Sequence, residues 1–169
     1  LQKAFFCSTG TEANEGAALL ATIYTGSSEF ICLRNGLHGR TKLTMSMTGI
    51  GMWRTDPNPV GGISFAPNPY CYRCPLGKTY PECDLACANA VEDIIKTNTS
   101  GKVAAFFAEP IQGNAGIITP PPGYFQRLKE ILDKYNILLV VDEVQTGFGR
   151  TGKMFAIENF NIVPDIMTV

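Results

Sequence analysis

Short apolar runs recur along this chain with helix-patterned stretches between them, and that rhythm leaves few folds open. Lys3–Ser8 (KAFFCS), Glu29–Arg34 (EFICLR), Ile63–Pro67 (ISFAP), Lys102–Glu109 (KVAAFFAE), Asn136–Asp142 (NILLVVD) and Pro164–Val169 read as strands. Apolar runs of this length, without polar alternation, belong to strands buried on both faces. Thr11–Tyr24, Arg40–Met47, Ala88–Asn98, Tyr124–Tyr135 and Lys153–Asn159 carry helical patterns; in the fourth, Leu128, Ile131 and Leu132 fall on one face. Strands alternating with helices imply an α/β fold, three-layer, with a mainly parallel sheet and helices on both faces. In such a sheet the ligand site lies outside the carboxyl ends of the strands. The residues at those ends are Thr9–Thr11, Asn35–Gly39, Glu109–Gly113 and Asp142–Gln145.

Length and composition narrow the function. The 169 residues suffice for one domain, and 45% hydrophobic against 17% charged residues makes it globular. Fourteen basic and fifteen acidic residues leave a net charge of -1. That argues against nucleic acid or an anionic membrane as a partner, since phosphate neutralisation needs clustered Lys and Arg. No apolar run approaches the ~20 residues of a membrane span. The chain opens on Leu1 directly into a strand-like run, with neither an initiator Met nor a leader pattern. We therefore expect a partial domain over 1–169, incomplete at both ends, in a cytoplasmic parent protein.

Six cysteines are present. Cys7 and Cys32 lie inside apolar runs and read as buried free thiols. Cys71, Cys74, Cys83 and Cys87 fall in a Cys- and Pro-rich insert at about 68–87. Their pair spacing resembles that of a structural zinc site, although the gap between the pairs is short for a zinc ribbon. Reduced thiols are the alternative.

Three strand ends carry chemistry. Ser8–Glu15 (STGTEANE) joins a strand to a helix, where unpaired backbone amides can bind an anion; Gly10 allows close approach and Thr11 adds a hydroxyl. Thr9-x-x-Glu12 equally fits an ordinary capping box. Asp142 ends the strongest strand, and a partly desolvated carboxylate there needs a cationic or protonated partner. A pyridinium nitrogen is one; a metal or a cap is another. Glu143 should point the other way, because strand side chains alternate. Gly147–Met154 (GFGRTGKM) nearly matches a nucleotide-binding P-loop, but Met154 stands where the magnesium-holding Ser or Thr is required.

Together, Thr9–Glu15, His38–Thr41 (HGRT), Glu109–Gly113 (EPIQG) and Asp142–Gly152 (DEVQTGFGRTG) resemble the class III, or ornithine/4-aminobutyrate type, aminotransferases. The resemblance spans essentially the whole chain, and the insert is most similar to relatives of the alanine–glyoxylate enzymes. It implies the large domain of the fold type I pyridoxal-phosphate (PLP) transferases and a homodimer. It implies an amino group moved between an amine or amino acid and a 2-oxo acid. Gly10 and Thr11 would bind the cofactor phosphate, Asp142 would pair with the pyridine nitrogen, and Val144 would pack on the ring. Gln145 would bond the ring's 3-oxygen, Leu37 and His38 would flank the ring, and Glu109 would support the site. The Schiff-base lysine is expected about two residues beyond Val169, so the fragment itself would be inactive. A phospho-lyase, racemase or decarboxylase would use the same machinery, and a non-catalytic zinc-stabilised module is the alternative of another class.

Two departures stand out. Leu37 replaces the Tyr or Phe usual before the His-Gly pair, which implies a weaker hold on the cofactor by about 1 kcal/mol. Asn114 stands where many glutamate-using members carry Glu, which puts 2-oxoglutarate in doubt as the acceptor and favours pyruvate or glyoxylate.

Overall fold

A computed structural model describes all residues, 1–169. Its strands are β1 (Glu29–Leu33), β2 (Ile63–Ala66), β3 (Val103–Ala108), β4 (Leu138–Asp142) and β5 (Ile166–Thr168); its α-helices are α1 (Gly10–Thr25), α2 (Lys42–Met47), α3 (Ala86–Thr97) and α4 (Tyr124–Lys134). The five strands form one sheet in the order β2-β1-β3-β4-β5, and every neighbouring pair is parallel.

The unbroken apolar runs supply both faces at once. One row across the sheet reads Phe65, Cys32, Phe107, Val140 and Ile166. It packs with Ala17, Ala18 and Ala21 of α1 and Met47 of α2. The alternate residues, Leu33, Phe106, Ala108, Leu139 and Val141, meet α3 and α4 through Val91, Ile95, Leu128 and Leu132. Three alanines bring α1 close to the sheet, whereas α4 reaches it with leucines. Burying each large apolar side chain of this kind contributes about 1.5–3 kcal/mol. No helix is long and apolar enough to cross a membrane.

Three expectations need correction. Lys3–Ser8 is not a strand: Phe5 and Phe6 are 85% and 93% exposed, and Cys7 is exposed rather than buried. A strand needs a ladder partner, and Lys3–Ser8 joins none of the five strands of the sheet. Lys153–Asn159 is not α-helical; a 3-10 turn spans Ala156–Phe160 and stops where Asn161 turns left-handed at φ 53°. Third, no group of three or more His, Cys, Asp or Glu side chains is placed to hold a metal ion. The zinc weighed against reduced thiols at Cys71, Cys74, Cys83 and Cys87 therefore has no preformed site: the four line one small cavity without forming a ligand set, and all are free thiols.

Candidate active site around Asp142

The chain runs from β1 outward to β2 and returns to β3 on the other side of β1, so the connections diverge between β1 and β3. That divergence opens a crevice at the carboxyl ends of those strands. Glu109, 5% exposed just after β3, spans it. Its two carboxylate oxygens accept from the backbone amides of Leu37 at 3.0 Å and Gly113 at 2.9 Å. Gln112 adds a second tie, donating to the Arg34 carbonyl at 2.9 Å.

Asp142 lies one strand further along and is 4% exposed. Its Oδ2 accepts from Asn14 Nδ2 at 2.8 Å and pairs with His38 Nδ1 at 2.9 Å. Its Oδ1 accepts only the Val144 amide, at 3.1 Å. Asn14 also donates to the His38 carbonyl at 2.9 Å and accepts from the Thr168 hydroxyl at 2.9 Å. One asparagine thus joins α1, the loop after β1 and the ends of β4 and β5. Glu143 points away, as strand alternation requires, and takes the amides of Ala156 and Ile157 at 2.9 and 2.8 Å. It caps the 3-10 turn.

The electrostatics follow from this packing. Burial pulls the His38 pKa down, but the hydrogen bond and charge of Asp142, with Glu109 behind them, raise it above its ordinary 6.5. Burial lifts Glu109 above its ordinary 4.5, more than the His38 charge and the Leu37 and Gly113 amides lower it. Two carboxylates around one imidazole make a proton on His38 favourable.

Helix α1 begins at this cluster. Thr9 caps it, its hydroxyl accepting from the Glu12 amide at 3.1 Å. Glu12 reaches back to the Ser8 amide at 2.8 Å. The capping reading therefore holds, and it leaves the Gly10 and Thr11 amides without helical acceptors. A Cβ at Gly10 would lie 2.6 Å from Val144 Cγ1, so a larger residue there would displace the Val144 side chain from the helix start. At Gly39, φ is +147° and a Cβ would lie 2.8 Å from the Thr11 hydroxyl. Val144 remains 45% exposed. Gln145 is exposed and donates to Asn114 Oδ1 at 2.6 Å.

The structure thus gathers Gly10, Thr11, His38, Asp142 and Val144 at one mouth, with Leu37 tied in through Glu109 and Gln145 tied to Asn114. The four insert cysteines lie elsewhere, beside Tyr80 and Pro121. Asn14 and Thr168 escaped the reading of the sequence. A signal existed for Asn14, a polar residue in register with the sheet-facing Ala17, Ala18 and Ala21; nothing in the sequence marks Thr168.

This sheet order, with an acidic residue ending β4 opposite a helix start, is the fold type I arrangement of PLP-dependent transferases. The chain belongs to the class III aminotransferase family, whose model matches residues 2–169. A leucine/methionine racemase from Thermococcus litoralis is 43% identical over 173 residues, covering 99% of this chain and 38% of that protein. An acetylornithine aminotransferase from Methanothermobacter thermautotrophicus is 42% identical over 168 residues, covering 99% and 38%. The crystal structure of an amine transaminase from an uncultivated Pseudomonas species, in its PLP-bound form, superposes with a TM-score of 0.89 at 35% identity; the match covers 95% of this chain and 38% of that one. The chain thus spans under two-fifths of the length of these relatives.

Proposed function

We propose that the whole protein containing this domain is a PLP-dependent aminotransferase that moves an amino group from an amine or amino acid to a 2-oxo acid. The observation that carries the reading is Asp142. It is buried, its Oδ2 is fully engaged by Asn14 and His38, and its Oδ1 has a single amide donor. A carboxylate held this way is fixed in direction and can accept one more proton donor. The donor set fits the cofactor: an acceptor for a protonated ring nitrogen, an apolar Val144 face, and free amides at a helix start for a phosphate. When bound, pyridoxal phosphate supplies an electron sink for the carbanion formed at the substrate.

The chain's own residues then divide the work. Gly10 and Thr11 hold the phosphate with backbone amides and the Thr11 hydroxyl. Asp142 keeps the ring nitrogen protonated, and His38 and Asn14 hold Asp142. Val144 and Leu37 would pack against the ring, and Gln145 would donate to its 3-oxygen. Glu109 positions the Leu37 and Gly113 backbone without touching the ring. A homodimer, and a cytoplasmic location, belong to the same proposal.

The test is the full-length protein loaded with PLP, given single L-amino acids with pyruvate, glyoxylate or 2-oxoglutarate as acceptor. Formation of the new amino acid is expected. A protein that binds no PLP, or binds it and transfers no amino group from any donor, overturns the reading. The 43% identity to a leucine/methionine racemase favours a second reading, racemisation. One L-amino acid without any 2-oxo acid separates the two: appearance of the D-enantiomer at a catalytic rate makes racemisation the main activity.

A further inference from the structure

Gln145 stands at the mouth of the site with an amide whose two ends are chemically opposite. Turned one way it offers N–H groups to a bound ring. Turned the other way it offers an oxygen, which repels an anionic ring oxygen. The last torsion of a glutamine side chain is broad and selects neither end by itself. Two contacts in the structure make the selection. Gln145 Nε2 donates to Asn114 Oδ1 at 2.6 Å. The other end of the amide lies against Gly113, where a Cβ would stand 2.0 Å from Gln145 Oε1 and 2.7 Å from its Cδ. A side chain at position 113 and the Gln145 amide cannot share that space.

The floor under the amide is itself fixed. The Gly113 amide donates to Glu109 Oε2 at 2.9 Å. One residue earlier, Gln112 pairs with Ile118 in an antiparallel bridge, with amide to carbonyl at 3.0 Å in both directions. The turn that carries Gly113 and Asn114 is thus closed at its base and tied to the end of β3, while Gln145 comes from the loop after β4. We propose that Asn114, seated on this turn, is a positioning residue for the cofactor: it takes one Nε2 hydrogen of Gln145 and so directs the other at the 3-oxygen of the ring. The proposal rests on the aminotransferase reading of the site and gives Asn114 a task separate from the choice of acceptor. An amide nitrogen has a second hydrogen once the first is engaged. A donor aimed at the 3-oxygen favours its ionised form. Without Asn114 the amide is free to turn its oxygen toward that charge. Gly113 acts from the opposite side, by admitting Oε1 where a Cβ would push the amide away.

The test uses the full-length protein loaded with PLP and reads binding and colour rather than turnover. The visible absorbance of the bound cofactor is titrated with pH, and its dissociation constant is measured by dialysis. Asn114→Leu is expected to raise the pH midpoint by about one unit and the dissociation constant about tenfold, the scale of one hydrogen bond to a charged acceptor. Gly113→Ala should move both in the same direction. In a Gln145→Leu background neither substitution should add a further change, because each acts only through the Gln145 amide. An unmoved midpoint in Asn114→Leu overturns the proposal. So does a shift of full size in the Gln145→Leu background, which would make Asn114 a contact of the ring in its own right. In both cases wild type still binds PLP and the aminotransferase reading stands; a wild type that takes up no PLP overturns that reading and this proposal together.

Discussion

Asp142 and Cys71 are each the centre of a cluster of titratable side chains, yet the two clusters are built on opposite terms. The Asp142 cluster is sealed by hydrogen bonds. Asn14, His38 and the Val144 amide fill three acceptor positions of one carboxylate, and Thr168 braces Asn14. Three of the cysteines around Cys71 lie in loop and turn segments and the fourth, Cys87, in the first turn of α3, all against one small cavity, with contacts such as the Tyr80 hydroxyl on the Pro122 carbonyl at 3.4 Å. The difference separates two settings for a titratable group. A charge that must act in one direction is fixed from several secondary-structure elements; thiols that wall a cavity carry no such network.

The largest effect we expect is at Asp142. Asp142→Asn keeps the shape but gives Oδ1 no negative charge with which to hold a protonated ring nitrogen. Turnover of the full-length enzyme should fall roughly 10²–10³-fold, the scale on which loss of one preorganised electrostatic partner acts, while the protein still takes up coloured cofactor. Near-normal turnover would remove Asp142 from the mechanism and erase the contrast between the clusters.

Next comes Asn14→Ala. It strips a buried donor from Asp142 and from the His38 carbonyl and leaves the Thr168 hydroxyl without its acceptor. Unsatisfied buried groups cost about 1–3 kcal/mol each, and the strained carboxylate should also shift the absorbance of bound cofactor. Urea titration of wild type and variant measures the first, and a spectrum the second. An unchanged midpoint would mean that Asn14 fills space without bracing the site.

The same cluster should give stability a pH slope. The folded pKa of His38 lies above its ordinary 6.5 and that of Glu109 above its ordinary 4.5. In both cases folding favours the protonated form. For His38 the contribution is fully present below the unfolded pKa near 6.5 and is lost as pH rises through the folded value. For Glu109 stability declines as pH rises from about 4.5 through its folded pKa. The urea midpoint should therefore fall from pH 6 upward, and His38→Asn should flatten that fall. A midpoint that rises over this range in wild type contradicts the assignment.

How far the sequence disclosed all this depends on where each partner lies. The strand ends were legible because unbroken apolar runs stop at a charged or turning residue, as β4 does at Asp142. The helix start at Gly10 was legible because Thr9 and Glu12 form a local cap. Long-range pairs were not: Asn14 and Asp142 are 128 positions apart, and no periodicity links them. Lys3–Ser8 misled for a related reason, since its composition suits a strand but a strand is made by its neighbour. The cysteine spacing suggested a metal site that the structure does not form: the four side chains share one cavity without making a ligand set, a detail that intervals of two and three residues do not carry.

Leu37 and Asn114 tune the mouth more gently. Leu37 has no aromatic face to offer a ring, so Leu37→Phe should tighten cofactor retention by about 1 kcal/mol, roughly fivefold in Kd. Dialysis followed by absorbance reads it; faster loss in the variant would mean the pocket is shaped around Leu. Asn114 is already engaged by Gln145 Nε2 at 2.6 Å, and a neutral amide cannot neutralise a cationic carboxylate-binding group for one substrate and release it for the next. We therefore expect kcat/KM for 2-oxoglutarate no higher than for pyruvate or glyoxylate, and a rise in 2-oxoglutarate use in Asn114→Glu. A strong wild-type preference for 2-oxoglutarate defeats this reading.

The smallest effect is expected where the comparison is sharpest. Cys71→Ser under reducing conditions replaces an exposed thiol with a hydroxyl of similar size, breaks no ladder, cap or buried hydrogen bond, and leaves the Asp142 cluster untouched. Such substitutions shift stability within about 0.5 kcal/mol, and amino transfer should match wild type. The Tm of the variant should match that of wild type. If Cys71→Ser is destabilised by several kcal/mol, the thiol is structural, and the two regions differ less in construction than their hydrogen bonds indicate.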